Sequence, residues 1–152
     1  MSVRVSIIYQ STHGNNRIIA NHVRNAMILL GHDVESHNVH DVTPQEVSES
    51  DLLVFCAPTH IQRAPRKIRS FLKKLAKIGV YGDYALIATR LPESPKLPKA
   101  RTLEMMEESF AGSGAKLVGK LELVSEDMRG PLEEGWEDRL DAFFAGVIVE
   151  KN

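Results

Sequence analysis

The chain has 152 residues, with 19 Lys and Arg against 20 Asp and Glu, a formal net charge of −1 and a pI near 6.6. That length suits one core, so residues 1–152 are expected to form a single domain. The charge balance argues against general nucleic-acid binding, and no apolar run approaches the roughly 20 residues that span a bilayer.

Residues 3–9, VRVSIIY, are rich in β-branched side chains and predict a first strand. Strand-like sequence follows Met1 directly, so no secretory signal is expected and the cytoplasm is the expected location. Residues 16–30 place Ile19, Val23, Ala26, Met27 and Leu30 on one helical face, and Gly31 supplies a stop. Residues 34–40 predict a short second strand. Residues 51–58, DLLVFCAP, are nearly all apolar, as in a central strand buried on both faces. Residues 65–77 carry Ile68, Phe71, Leu72 and Leu75 at helical spacing. A fourth strand is predicted at 84–89, a third helix at 99–110, a fifth strand at 115–124 and a last helix at 133–146. Three prolines in RLPESPKLP, residues 90–98, forbid a continuous helix and predict a long loop.

Strands thus alternate with helices, which predicts an α/β fold with a parallel sheet and helices on both faces. Ligands bind such sheets beyond the carboxyl ends of the strands. Three loops leave those ends. The first holds Ser11, Thr12, His13, Gly14, Asn15 and Asn16. Its hydroxyls, its glycine and the helix start behind it suit a phosphate, because free N–H groups and the positive end of the helix dipole favour an anion. The plainer reading is a strand-to-helix turn with Asn15 or Asn16 as N-cap. Neither GxGxxG nor GxxxxGK[ST] is present, so the dinucleotide and common nucleotide-triphosphate loops are excluded. The second loop, with Pro58, Thr59, His60 and Ile61, offers a flat ring and an apolar surface at the end of the central strand. The third begins Thr89, Arg90, Leu91.

These loops carry a family resemblance. Ser11 to Asn16 resembles the flavodoxin phosphate loop, roughly S/T-x-T-G-x-T, with the Ser-Thr start and Gly-Asn pair kept and with His13 and Asn16 in place of two threonines. The strand end Ala57-Pro58-Thr59-His60 is similar to the family's S/A-P-T-W/Y, with His60 where an aromatic ring stacks on flavin. The third loop departs most, having no second aromatic and no T-G-x-G-D-like turn. The resemblance spans essentially the whole chain. It implies a flavodoxin-like three-layer α/β/α sandwich with a five-stranded parallel sheet in the order 2-1-3-4-5. It also implies FMN as cofactor, with phosphate on Ser11, Thr12, His13, Gly14, Asn15 and Asn16 and the ring between Pro58, Thr59, His60, Ile61 and Thr89, Arg90, Leu91. The implied function is electron transfer, or a small flavin-dependent oxidoreductase, with no catalytic side chain. On that reading Arg90 lies beside the ring and stabilises its reduced anion. The alternative is a module of the same fold that binds no flavin and acts through protein contacts. A phosphoacceptor domain is disfavoured, because Ser11, Thr12 and Ala57 stand where acids would be needed.

Seven cations, Arg63, Arg66, Lys67, Arg69, Lys73, Lys74 and Lys77, occur without an intervening acid. They form either a solvated helix face or a docking surface for an acidic redox partner. His32, His37 and His40 cluster near the second strand but lack an acid or cysteine at metal-ligand spacing. Cys56, the only cysteine, lies in the apolar strand and is expected to be buried and inert; it can form no internal disulfide.

Overall fold

The computed structural model describes residues 2–151, with side chains described to residue 148. In chain order the elements are β1 (Arg4–Tyr9), α1 (Asn15–Leu29), β2 (Asp33–Asn38), α2 (Pro44–Val47), β3 (Leu52–Pro58), α3 (Arg66–Ile78), β4 (Asp83–Arg90), α4 (Thr102–Ser109), β5 (Lys116–Val124) and α5 (Trp136–Lys151). All five strands pair in parallel in the order β2-β1-β3-β4-β5, which is the expected flavodoxin-like sheet.

Burial explains the order. Leu52 to Ala57 in β3 are each 0 % exposed, and β3 sits in the middle of the sheet with helices over both faces. Alternate residues therefore feed two cores. Leu53, Phe55 and Ala57 pack with Ile68, Phe71, Leu72 and Leu75 of α3 and with Met105 and Met106 of α4. Leu52, Val54 and Cys56 pack with Ile19, Val23 and Met27 of α1 and with Leu140 and Phe144 of α5. Fully burying one such aliphatic or aromatic side chain stabilises the fold by roughly 1.5–3 kcal/mol.

Several predicted boundaries move for local reasons. α2 escapes the sequence pattern because four residues are too few to show a helical period. α4 starts at Thr102 rather than residue 99, because the chain enters it through an irregular, proline-bearing segment. α5 starts at Trp136 rather than 133, since Glu133 is bound back to the sheet: its N–H donates to the Val124 carbonyl at 2.7 Å and its carboxylate accepts the Val124 N–H at 3.0 Å. The helix then runs through Gly146, past the expected end. Gly82 must be glycine, since a Cβ there would lie 2.4 Å from the Ser50 carbonyl oxygen.

Cys56 is 0 % exposed, and burial pushes its thiol up to about 12 from 9.0. The reactive thiolate is therefore suppressed in the folded protein. We expect an aromatic disulfide reagent at pH 8 to modify Cys56 only after addition of denaturant. Stoichiometric labelling of the native protein within minutes would show that β3 opens readily.

Candidate functional site

The loops at the carboxyl ends of β1, β3, β4 and β5 enclose a cavity of about 600 Å³, larger than two other surface depressions of about 440 and 360 Å³. Ser11, Thr12, His13, Asn15 and Asn16 line it from the first loop, Pro58, Thr59, His60 and Ile61 from the second, and Thr89, Arg90 and Leu91 from the third. Gly14 is the one predicted site residue that does not line the cavity. It shapes the loop instead, with φ +101°, a left-handed conformation that glycine adopts without a Cβ penalty.

Gly14 is also the N-cap of α1, and no side chain caps that helix. The expected capping role of Asn15 or Asn16 is therefore not what the structure shows. The Ser11 hydroxyl accepts the Gly14 N–H at 3.0 Å, and the first helical bond runs from the Ile18 N–H to the Gly14 carbonyl at 3.0 Å. The N–H groups of Asn15, Asn16 and Arg17 come before that bond, at the positive end of a helix of 15 residues.

The two asparagine side chains turn sideways. Asn15 Nδ2 donates to Ser125 Oγ at 3.1 Å and to the Met128 carbonyl at 3.4 Å. Asn16, only 1 % exposed, donates through Nδ2 to Thr89 Oγ1 at 3.0 Å. Its Oδ1 is buried with no partner. An unpaired buried amide oxygen costs about 1–3 kcal/mol, so a site that retains one needs an explanation.

The second loop is a tight turn. The His60 N–H donates to the Arg63 carbonyl at 2.8 Å and the Arg63 N–H returns the bond at 3.0 Å. Ile61 and Gln62 between them have φ of +50° and +63°. Two successive positive φ values mark the type I′ geometry, which normally takes Asn-Gly because a β-branched residue is strained there. Ile61 is nevertheless 93 % exposed over the cavity. The ring of His60 is tied to the first loop, with Nε2 3.1 Å from Thr12 Oγ1. Gln62 fastens this turn to the third loop: its side-chain amide donates to the Pro98 carbonyl at 2.6 Å, and its own carbonyl accepts the Arg101 N–H at 2.9 Å.

Arg90 lines the cavity, but its charge is spent. Its Nε donates to Glu122 Oε1 at 2.5 Å, Nη2 lies 3.7 Å from Glu93 Oε1, and Nη1 donates to the Leu91 carbonyl at 3.0 Å. Register explains the first pair: Ala88 aligns with Glu122 and Arg90 with Val124, so Arg90 and Glu122 are diagonal neighbours on one face of the sheet. Arg90, which the resemblance places beside the ring to stabilise its reduced anion, is thus held in an ion pair with Glu122.

Six lining residues were not among the sequence candidates: Gln62, Pro92, Leu97, Ser125, Asp127 and Met128. The last three form a fourth loop, after β5. The Ser125 N–H donates to the Arg90 carbonyl at 2.8 Å, and Asn15 holds the other side of that loop. Its signal is the turn-forming Asp127 to Pro131 stretch, but β5 is an edge strand three places from β1, and only the tertiary fold brings its loop to the first one. The histidines near β2 have separate roles. His32 accepts the Val3 N–H at 3.1 Å and His37 pairs with Glu35 at 3.3 Å. Among the described residues no group of three His, Cys, Asp or Glu side chains is placed to hold a metal.

The Asn15 contacts yield a direct expectation. Asn15→Ala removes a hydrogen bond worth about 0.5–1.5 kcal/mol, and the Ser125 to Gly130 amides should then exchange with solvent several-fold faster. Unchanged exchange there would mean that the fourth loop is held from elsewhere.

Comparison with known proteins agrees with this geometry. A flavodoxin of Streptococcus pneumoniae TIGR4 superposes with a TM-score of 0.79 at 20 % identity, over 96 % of this chain and 98 % of that one. A short-chain flavodoxin associated with a non-canonical PDU bacterial microcompartment gives 0.79 at 18 % identity, over 99 % of both chains. Two-electron reduced flavodoxin of Megasphaera elsdenii gives 0.71 at 21 % identity, over 90 % and 94 %. At such identities these likenesses establish the fold. No curated protein sequence matches the chain. The flavodoxin-domain family model matches residues 6–113, from Ser6 in β1 to the turn after α4, and the chain belongs to that family.

Proposed function

We propose that the cavity binds FMN and that residues 1–152 act as one electron-transfer domain in the cytoplasm, with a protein redox partner. The observation that carries this reading is the uncapped start of α1 beside the unsatisfied amide of Asn16. Three helix N–H groups with no side-chain cap are a site for an anion, and the loop lacks the GxGxxG that seats a pyrophosphate on a helix start, which favours a monophosphate.

Asn16 supports the same reading because its amide can be turned over. As placed, its Nδ2 donates to Thr89 and its Oδ1 is orphaned. Half a turn of the amide lets the Thr89 hydroxyl donate to Oδ1 and frees Nδ2 as a donor, because a hydroxyl serves in either role. A phosphate would favour the turned form. Thr12 and Ser11 add hydroxyls to the same loop, while the Thr12–His60 bond holds the first two loops together.

The ring end of the cavity fits a flat apolar group without aromatic stacking. Among the described residues the only aromatic rings lining it are the imidazoles of His13 and His60; Ile61, Leu91, Leu97 and Met128 supply aliphatic surface. A missing stacking partner costs about 0.5–1.5 kcal/mol beyond area burial, so FMN affinity should be lower than that of an aromatic-flanked site. When bound, the flavin supplies the redox chemistry, and the protein supplies binding, orientation and electrostatics. Arg90, paired with Glu122 and Glu93, presents little net charge to the ring. No side chain is needed as acid or base, and no catalytic residue is assigned. An oxidoreductase role is compatible with the open mouth of the cavity. A flavin-free interaction module is the competing reading.

The reading makes three measurable demands. The protein should take up FMN with the yellow absorbance of bound flavin, and acid extraction should return FMN rather than FAD. Asn16→Asp should weaken binding roughly ten- to hundredfold, corresponding to one charge-assisted hydrogen bond of about 1.5–3 kcal/mol plus repulsion of the phosphate. Thr12→Ala should weaken it by less. Failure of the wild-type protein to take up FMN would favour the flavin-free module, and unchanged affinity in both variants would remove the phosphate from this loop.

A further inference from the structure

Two exposed features adjoin the cavity mouth and are not explained by folding. The first is aliphatic. Ile61 is 93 % exposed, Leu97 58 %, Met128 58 % and Leu91 47 %, and these four come from three different loops around one opening. Ile61 also occupies a left-handed backbone position, so neither its exposure nor its conformation favours the isolated fold. The second is a stripe of charge. Arg63, Arg66, Lys67, Lys73, Lys74 and Lys77 are exposed and Arg69 is half-buried. Among the described residues none of these seven forms an ion pair, so no neighbouring acid neutralises the stripe. The stripe begins at Arg63, which closes the tight turn bearing Ile61, so the two features are continuous.

We infer that the aliphatic mouth and the exposed face of α3 form one docking surface, and that its occupant is a small protein with an acidic patch. This rests on the electron-transfer reading and names the class of partner. Charge complementarity carries the choice. The seven cations leave twelve cations and twenty acids for the remainder of the chain, so the stripe is a local positive field on an otherwise acidic molecule. An extended polyanion such as a membrane or nucleic acid would meet the acidic remainder as well as the stripe. A compact acidic protein can sit on the stripe alone. The 13 residues of α3 give a stripe about 20 Å long at about 1.5 Å per residue, within the span of a transient protein interface.

The other side of the mouth sets the orientation. Glu126, Asp127 and Arg129 lie on the fourth loop, which is therefore net acidic and packs against Asn15 over the α1 side of the sheet. An acidic partner is therefore drawn toward α3 and repelled from the fourth loop. That places it over Ile61, Leu91 and Leu97. Charged contacts would steer the encounter, and the aliphatic contacts would seat it beside the cavity.

The test uses the ¹⁵N-labelled protein as purified, titrated with an acidic plant-type [2Fe–2S] ferredoxin at low and at moderate salt. Perturbed amides should fall at residues 61–77 and 91–97, and affinity should drop about tenfold or more as salt rises. Lys73→Glu/Lys74→Glu should lower affinity at low salt by about tenfold. The charge-matched Arg24→Glu/Lys116→Glu, on α1 and at the start of β5, should change it less than threefold. Leu97→Asn should weaken binding at both salt concentrations. No binding, perturbation centred on α1 and α5, or equal effects of the two double variants would overturn the proposal. So would tighter binding of phosphatidylglycerol vesicles or single-stranded DNA through the same residues, or concentration-dependent self-association through them. Flavin absorbance of the same samples reports separately on FMN, so a flavin-free protein that still binds on α3 would reject the cofactor and keep the surface.

Discussion

Parallel pairing is the constraint on which the site depends. Because β1, β3, β4 and β5 all run the same way, each of their following loops emerges at one edge of the sheet. Polar backbone and side-chain groups that cannot be satisfied inside the sheet are concentrated there. The fully buried β3 anchors the arrangement, since both cores depend on its alternating side chains. A loss of packing on either face would displace the loops that follow β1 and β4, its two sheet neighbours.

Cross-loop hydrogen bonds then turn four separate connections into one cavity. Asn16 joins the first loop to Thr89, Thr12 joins it to His60, and Asn15 joins it to the loop after β5. Gln62 joins the second loop to the third. Each bond contributes only about 1 kcal/mol, but together they fix the relative positions of the walls. What they leave unspent is the start of α1 and one amide oxygen of Asn16, an acceptor whose place a half-turn of the amide gives to the NH2 donor. The walls offer donors at one end and aliphatic surface at the other.

The sheet was legible because burial writes itself into composition. The run from Leu52 to Ala57 and the helical spacing of Ile68, Phe71, Leu72 and Leu75 each have one sensible placement. Strand order was legible only through the family resemblance, since periodicity does not say which strands are neighbours. The first three loops were legible as strand ends bearing unusual polar groups. Local pattern could not show that Arg90 meets Glu122, because that contact depends on the β4–β5 register. Nor could it show that Met128 and Ser125 reach the cavity, because they arrive by tertiary contact with Asn15. The turn at Ile61 and Gln62 was hidden for the opposite reason: its residues argue against the conformation they adopt.

The central claim is that the start of α1 and Asn16 form a donor cradle for a phosphate dianion. Phosphorus-31 NMR of the FMN-bound protein tests it directly. A phosphate held by several N–H groups keeps its second ionisation well below the ordinary value of about 6. The account predicts a bound-phosphate resonance that stays at one position from pH 5 to 8. A resonance that titrates across that range like free FMN would contradict it, because the phosphate would then lie in solvent rather than on the loop.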